Sequence, residues 1–202
     1  MSLGSAYSLN SAEEAKAFYD RWAAEYEAEL AGNGYVTPLR CVQALAGAAS
    51  MPWAPLAEFG CGTGLGGAAL TEAGFECIDG FDISPGMLER AREKGIYRNL
   101  ELLDLSQPLD DVARDTYQNA AAIGVLNPKH MPTTVLDEIL NLLPEGGCFV
   151  FSLNDHALAD GTMETRLLEL TEYGVADLVF KEHGDHLPGT GLTGCVYVLK
   201  KR

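Results

Sequence analysis

The sequence predicts an α/β fold with a largely parallel sheet. Apolar runs of strand length alternate with helical patterns from residue 55 to residue 153, which is typical of successive βαβ units. A glycine-rich turn, Gly60 to Gly64, follows the first of these runs. An acid, Asp82, ends the next run about twenty residues later, at the distance seen in nucleotide-binding α/β units. Two strand-like segments joined by a loop close the chain and predict an antiparallel hairpin.

The first fifty residues predict two helices. Ser11 is a good N-cap with Glu14 three positions later, and apolar residues then recur at helical spacing, so the first helix is expected from about 12 to 30. A second helix follows Pro38 and ends before Pro52.

The remaining elements follow from the alternation of apolar runs with turn residues and helix-start signals. The predicted strands are residues 55–59, 76–82, 99–103, 116–126, 148–153, 175–181 and 194–200. The predicted helices are residues 64–74, 85–94, 133–143 and 163–173. Because no repeat, linker or low-complexity tract interrupts the pattern, we expect one domain over residues 1–202. Its N-terminal helices occupy about 1–52 and its α/β core about 53–202.

The composition excludes several classes of protein. The chain carries 29 acidic residues against 14 Lys and Arg, and its net charge of −15 repels nucleic acid. No run approaches the roughly 18 apolar residues of a membrane span, and no secretory signal segment is present. The five cysteines are scattered without a C-x-x-C pair, which indicates reduced thiols. We therefore expect a cytoplasmic protein without a nucleic-acid or membrane partner, and Met1 to Leu3 is interpreted as a vector remnant.

The segment Glu58 to Gly64 indicates a cofactor site. Its glycines let the backbone approach a ligand closely, while the helix that follows presents unpaired N–H groups. Asp82 matches the acid that grips a ribose diol in nucleotide-binding folds. Together the turn and the two acids predict that an adenosine-containing cofactor binds here.

Four motifs, in this order, resemble those of class I S-adenosylmethionine-dependent methyltransferases. They are the Glu58–Gly64 turn, Gly80–Leu88, Leu103–Leu105, and Ile123–Leu126 followed by Leu142–Gly147. Softer motifs near the start, middle and end of the chain are similar to methyltransferase-like proteins of the Williams-Beuren syndrome region type. The resemblance implies a Rossmann-like seven-stranded sheet of order 3-2-1-4-5-7-6, with strand 7 antiparallel, helices on both faces and an N-terminal helical lid.

The resemblance also implies a cofactor, S-adenosyl-L-methionine, whose product is S-adenosyl-L-homocysteine. Asp82 is expected to accept both ribose hydroxyls, Asp104 to accept from the adenine amine, and Glu58 to fix the turn or bind the amino group. The cofactor-binding residues implied in this way are Tyr19, Trp22, Tyr26, Glu58, Gly60, Cys61, Gly62, Gly64, Asp82, Ile83, Met87, Asp104, Leu105, Ile123 and Gly124.

His130 is the candidate catalytic residue. It follows the fourth strand, at the edge where substrates enter such folds, and a histidine can remove a proton as a methyl group is transferred. A plain loop histidine is the competing interpretation. The segment Glu182 to His186 is interpreted as a solvated loop rather than as a metal site, so no metal is expected.

Several functions stay open. The favoured one is in-line methyl transfer to an oxygen or nitrogen of a small molecule, with a protein side chain as the alternative acceptor. A protein that binds S-adenosylmethionine without turnover is a further hypothesis. Because Gly62, Gly64 and Gly67 also satisfy G-x-G-x-x-G, an NAD(P)-dependent oxidoreductase is the least favoured candidate. The oligomeric state is not predicted.

Overall fold

The computed structural model describes residues 3–6, 9, 11–49 and 51–202. The helices are α1 (Leu3–Ala6), α2 (Ala12–Gly32), α3 (Thr37–Ala48), α4 (Leu65–Glu72), α5 (Pro85–Glu93), α6 (Val135–Leu142), α7 (Asp155–Asp160) and α8 (Thr162–Glu172). The strands are β1 (Leu56–Phe59), β2 (Ile78–Asp82), β3 (Asn99–Leu102), β4 (Asn119–Ala122), β5 (Cys148–Asn154), β6 (Ala176–Leu187) and β7 (Leu192–Lys201). Met1 and Ser2, interpreted above as part of a vector remnant, lie outside the described residues.

The strands form one mixed sheet whose order confirms the expected topology. The order is β3-β2-β1-β4-β5-β7-β6, and β7 runs antiparallel to both β5 and β6, whereas the other pairs are parallel. The direction in which strands are added reverses between β1 and β4. In doubly wound sheets, ligands bind in the crevice beyond the carboxyl ends of the strands at this switch point.

The core lies on both faces of the sheet. Along β1, Leu56 joins the cluster that includes α3 and α4, whereas Ala57 and Phe59 join the cluster that includes α6 and α8. Strands buried on both faces are typical of parallel sheets covered by helices. β1, β4 and most of β5 are buried throughout, so the carboxyl end of β1 is a rigid base for the turn that follows it.

Helix α2 begins where the sequence predicts. The hydroxyl of Ser11 accepts a hydrogen bond from the amide of Glu14 at 3.1 Å, which confirms the N-cap. Its 21 residues mix charged and apolar side chains. In the described part of the chain no helix combines the length and the apolar character needed to cross a membrane.

Strand β6 corrects one prediction. Residues 182–186 belong to β6, which runs on to Leu187, instead of forming a solvated loop. Gly184 indicates a loop in the sequence, but here it makes room for Arg40, whose guanidinium would lie 3.1 Å from a Cβ at that position. Arg40 donates to the carbonyls of Asp185 and Glu182, and these contacts, with β7 pairing, hold the segment extended.

Helix α7 was absent from the sequence-based prediction. Asn154 ends β5 and caps α7, because its side chain accepts a hydrogen bond from the amide of Ala157 at 3.1 Å. Gly161, with φ +77°, then separates α7 from α8. Helix periodicity cannot reveal so short an element, since it has fewer than two full turns.

Candidate cofactor and active site

The glycine turn connects β1 to α4 and has a shape that side chains would prevent. Gly60 has φ +67°, and a Cβ there would lie 2.3 Å from a methyl group of Val125. Gly62 has φ +54°, and a Cβ there would meet nothing within 4 Å. The turn therefore exposes bare backbone to open space at Gly62, which is the condition for a ligand to approach its amides closely.

Asp82 ties this turn to the end of β2. One carboxyl oxygen accepts a hydrogen bond from the amide of Gly62 at 2.8 Å, and the other accepts from the amide of Ser84 at 2.9 Å. Each oxygen keeps further acceptor capacity, because a carboxylate offers about four lone-pair sites. Burial raises the pKa of Asp82 to about 6, against the opposing effect of these two amides. Asp82 is thus mostly ionised at pH 7 and can still accept from a ligand.

A pocket of about 700 Å³, including its open mouth, lies beside this carboxylate. Most of its wall is apolar, with a few convergent polar groups. Its lining residues from the predicted set are Tyr19, Tyr26, Gly60, Gly62, Asp82, Ile83, Met87, Asp104, Leu105, Ile123, Gly124 and His130.

A smaller pocket of about 280 Å³ adjoins the first and shares Gly60, Gly62, Tyr26 and Ile123 with it. Glu58 and Cys61 line this smaller pocket, which is why the larger one does not include them. Gly64 lines neither pocket; it begins α4, and its amide donates to the carbonyl of Cys61. Of Gly62 and Gly64, only Gly62 lines a pocket.

Glu58 lies beneath the turn and is 1% exposed. The hydroxyl of Tyr97 donates to one of its oxygens at 2.7 Å. Burial raises the pKa of Glu58 to about 8 and the charge of Asp82 adds to the rise, whereas the Tyr97 hydroxyl opposes it. A carboxyl group with this pKa retains its proton at neutral pH until a cation comes near.

Helix α2 covers the larger pocket with only part of its predicted aromatic face. Tyr19 and Tyr26 line the pocket. Trp22 does not: it is 1% exposed, its ring packs on Phe18, and its indole N–H donates to Glu29 at 3.0 Å. Trp22 therefore supports the two tyrosines from behind and makes no contact with the cavity.

Two polar contacts fasten α2 to α5. Asp20 accepts from the Ser84 hydroxyl at 2.6 Å and from the Gly86 amide at 3.1 Å. About two turns further along, Glu27 pairs with Lys94 at 2.8 Å. The backbone amide of Ser84 also donates to Asp82. Ser84 therefore links helix α2, which covers the pocket, to the Asp82 carboxylate that lines it.

The opposite wall contains the residues that follow β3 and β4. Asp104 keeps its carboxyl oriented by accepting the Ser106 amide at 2.8 Å. Burial lowers the pKa of His130, partly offset by a hydrogen bond to the backbone of Leu9 and by the nearby charge of Asp104, so its ring is neutral at pH 7. The Nδ1 atom of His130 is buried and has no hydrogen-bond partner within the described chain. An unpartnered ring nitrogen on a pocket wall marks a place where a ligand donor or acceptor fits.

The described residues provide no metal site. No three His, Cys, Asp or Glu side chains come together there as possible ligands. Of the segment 182–186, His186 is buried against Tyr35 and bonded to the Thr37 hydroxyl at 2.7 Å, while His183 lies near Asp155 on the other side of the strand pair. Alternation along β6 separates the side chains that the sequence presents as a cluster.

Sequence reasoning missed the residues that hold the site together. Asp20, Ser84 and Tyr97 make the contacts described above; Asp20 and Ser84 lie in motifs but were given no role, and Tyr97 lies in none. Tyr35 lines the smaller pocket from the connection between α2 and α3. A signal existed only for Ser84, which precedes Pro85 as a good N-cap and accepts the Met87 amide at 3.1 Å.

The strand order and the pocket define the class of this protein. It is a Rossmann-like α/β protein with a cavity at the carboxyl ends of its central parallel strands. A glycine turn and the acid at the end of β2 meet in that cavity.

Comparisons with known proteins show a similarity to methyltransferases. Residues 57–149 match a family described as a methyltransferase domain. Methyltransferase-like protein 27 of Homo sapiens is 35% identical over 131 residues, which cover 64% of this chain and 54% of that protein. The chain thus matches about half the length of this relative, whose name agrees with the methyltransferase-like group that the sequence resembles.

Two solved structures share the fold at low sequence identity. A TehB-like S-adenosylmethionine-dependent methyltransferase from Corynebacterium glutamicum has a TM-score of 0.65 and 21% identity, over 92% of this chain and 99% of that one. The [4+2]-cyclase SpnF has a TM-score of 0.69 and 15% identity, over 95% and 96% of the two chains. The chain is thus similar to methyltransferases over residues 57–149, and it shares the fold of these two solved structures.

Proposed function

We propose that this protein transfers a methyl group from S-adenosylmethionine to an oxygen or nitrogen atom of a small molecule. The observation that carries the proposal is the charge of the two pockets. Their described lining includes Glu58, Asp82 and Asp104 but neither Lys nor Arg. Such a site suits a ligand with a sulfonium and an ammonium group. It disfavours the pyrophosphate of NAD(P), whose negative charges would face carboxylates in a partly buried pocket.

The residues present fit this cofactor. Open space at Gly62 leaves room for a ligand against the backbone of the turn. Asp82 would accept the ribose hydroxyls with the acceptor capacity that Gly62 and Ser84 leave free. Asp104 would accept from the adenine amine, while Ile83 and Met87 would pack against the base.

When bound, the cofactor supplies an activated methyl group, so the protein contributes mainly alignment. Tyr19 and Tyr26 of α2 would keep water from the cavity, held in place by the Asp20 and Glu27 contacts. For this reason we propose that the N-terminal helices and the sheet act as one catalytic domain. The neutral ring of His130 would accept the proton that the acceptor atom loses.

A small-molecule acceptor is favoured by the strong negative charge of the chain and by the cover that helix α2 forms over the pocket. Methylation of a protein side chain is the alternative, since a Lys or Arg would also suit acidic surroundings. Binding without methyl transfer is a second candidate, because the cyclase SpnF shares this fold.

Calorimetry with S-adenosylhomocysteine, NAD and NADP tests the cofactor assignment. We expect binding of the sulfur nucleoside alone, and binding of NAD alone would overturn the proposal. Asp82→Asn keeps the size of the side chain but removes its charge, so the affinity for S-adenosylhomocysteine should fall at least about tenfold, as for the loss of one charge-assisted hydrogen bond.

Methyl transfer from labelled S-adenosylmethionine to amines, phenols and carboxylates tests the reaction. His130→Ala should lower turnover by about 10²-fold or more while leaving S-adenosylhomocysteine affinity within a few-fold of the wild type. Turnover equal to that of the wild type would remove His130 from the mechanism. Turnover with peptides only would favour the protein-acceptor alternative.

A further inference from the structure

Tyr97 occupies a space that glycines of three different segments leave free. A Cβ on Gly67 of α4 would lie 2.3 Å from the Tyr97 hydroxyl, and a Cβ on Gly80 of β2 would lie 2.9 Å from its ring. A Cβ on Gly64, at the start of α4, would lie 3.2 Å from the same ring. The phenol therefore passes between α4 and β2 and reaches the underside of the glycine turn.

The end of this phenol holds Glu58 from one side. Its hydroxyl donates to Oε2 at 2.7 Å, while Oε1 lies where a Cβ on Gly66 would approach within 1.9 Å. The carboxyl group is thus fixed between Tyr97 and the backbone of α4, with one edge on the smaller pocket. This geometry leaves little freedom for Glu58 to turn away from a ligand.

Among the described residues, the ionisable groups that interact with Glu58 are two cysteines, a tyrosine and an aspartate. Asp82 acts on it from β2, Cys61 from the turn, Cys41 from α3 and Tyr97 from the connection between α5 and β3. None of these groups is a cation. A ligand that brings a positive charge would therefore be the first to compensate Glu58.

We propose that Tyr97 is a positioning residue, whose hydroxyl holds the Glu58 carboxylate ready to receive the ammonium group of the amino-acid part of the cofactor. This inference rests on the proposed function and adds the residue that controls how one end of the ligand is bound. In the free protein Glu58 keeps its proton at neutral pH, because burial raises its pKa to about 8. Binding of the ammonium group favours the carboxylate, so the proton of Glu58 is released to solvent.

The Tyr97 hydroxyl lowers the pKa of Glu58, since a donor stabilises the charged form. Tyr97→Phe retains the ring between the glycines and removes only this donor. The pKa of Glu58 then rises further, and the ionised form needed for the ammonium group becomes rarer at pH 7. At a pH above the pKa of Glu58 in both the wild type and Tyr97→Phe, the carboxyl group is ionised in both proteins. The part of the affinity difference that comes from its protonation then disappears.

The test uses titration calorimetry of the full chain with two nucleosides, S-adenosylhomocysteine and methylthioadenosine. Only the first carries the amino-acid group. We expect Tyr97→Phe to weaken S-adenosylhomocysteine binding about tenfold at pH 7 and less at pH 9, with methylthioadenosine unaffected. In buffers of different ionisation enthalpy, the wild type should release more protons than Glu58→Gln on binding S-adenosylhomocysteine at pH 7.

Tyr117→Phe is the matched control. It also removes a phenol that donates to a buried carboxylate, Asp79, at 2.9 Å, but this pair lies outside both pockets. Its affinity for either nucleoside should equal that of the wild type. The amino group of the ligand also titrates in the alkaline range, but equally for every variant, so comparison between variants isolates Glu58.

The outcomes separate the inference from the function beneath it. If Tyr97→Phe weakens both nucleosides equally, or neither, Tyr97 is a packing residue and the inference is wrong. If Tyr97→Phe fails to fold, Glu58→Gln decides, because it must lose S-adenosylhomocysteine affinity selectively. If the wild type binds neither nucleoside, the proposed function itself is wrong.

Discussion

Gly66→Ala offers a direct test of the site's geometry. The added Cβ would lie 1.9 Å from Oε1 of Glu58, whereas ordinary contacts of a Cβ begin at 3.4 Å, so the two groups must separate by about 1.5 Å. Gly66 is helical and has no positive φ, so alanine suits its backbone and the clash is the only penalty. Tyr97 and the buried strand β1 prevent Glu58 from yielding easily.

The cost follows from overpacking a well-packed interior, which typically destabilises a protein by about 1–3 kcal/mol. For a chain of this length that corresponds to a fall of roughly 2–12 °C in the unfolding midpoint. Affinity for S-adenosylhomocysteine should also fall at least about tenfold, because a displaced Glu58 intrudes on the smaller pocket. Thermal unfolding and calorimetry measure the two effects.

Gly47→Ala is the control for the helix propensity of alanine. Gly47 is an exposed glycine of α3, and a Cβ at this position would meet nothing within 4 Å. This variant should therefore be neutral or up to about 1 kcal/mol more stable than the wild type. If Gly66→Ala matches Gly47→Ala in both stability and affinity, the packing that we assign to Glu58 is refuted.

Three further changes test the electrostatics around the pocket. The pKa of Glu58 in the folded protein lies above its ordinary value of 4.5, so its contribution to stability is present at low pH and is lost as the pH rises towards 8. Between pH 5.5 and 7.5 the free energy of unfolding should therefore fall by up to about 1.4 kcal/mol per pH unit because of Glu58. Glu58→Gln should remove this slope, as measured by denaturant unfolding without ligand. Asp79→Ala should cost about 1–3 kcal/mol, because it leaves the Tyr117 hydroxyl and the Asn99 amide without their acceptor, while calorimetry should show unchanged S-adenosylhomocysteine affinity. Asp20→Ala should weaken that affinity about fivefold by releasing α2 from Ser84, whereas Lys16→Ala, which removes only an exposed partner of Asp20, should leave it unchanged.

Local signals predicted most of the fold. The N-cap at Ser11, the proline at the start of α5 and the apolar runs of β1, β2 and β5 each depend on residues close together in the chain. The extent of the edge strand β6 was harder to predict from the sequence. In β6 the extended conformation depends on β7 and on Arg40, which is 142 residues away from its partner Glu182.

In the candidate site, too, residues that carry a motif were predicted, whereas contacts between residues distant in the chain were not. Gly62 and Asp82 carry a motif, and the structure joins them by a hydrogen bond across 20 residues of chain. The contact of Tyr97 with Glu58 spans 39 residues, and that of Asp20 with Ser84 spans 64. No periodicity or turn preference encodes such pairs, because they exist only after helices α2 and α5 have packed on the sheet.

The negative charge of the site affects which ligands it binds. Glu58 and Asp82 lie close enough that Asp82 raises the pKa of Glu58, and neither pocket contributes a described Lys or Arg to offset them. Two acids that disfavour each other's ionised form are a cost in the free protein. A sulfonium ligand relieves that cost, and its neutral thioether product relieves less of it. The same arrangement would therefore favour binding of the methyl donor over retention of the product.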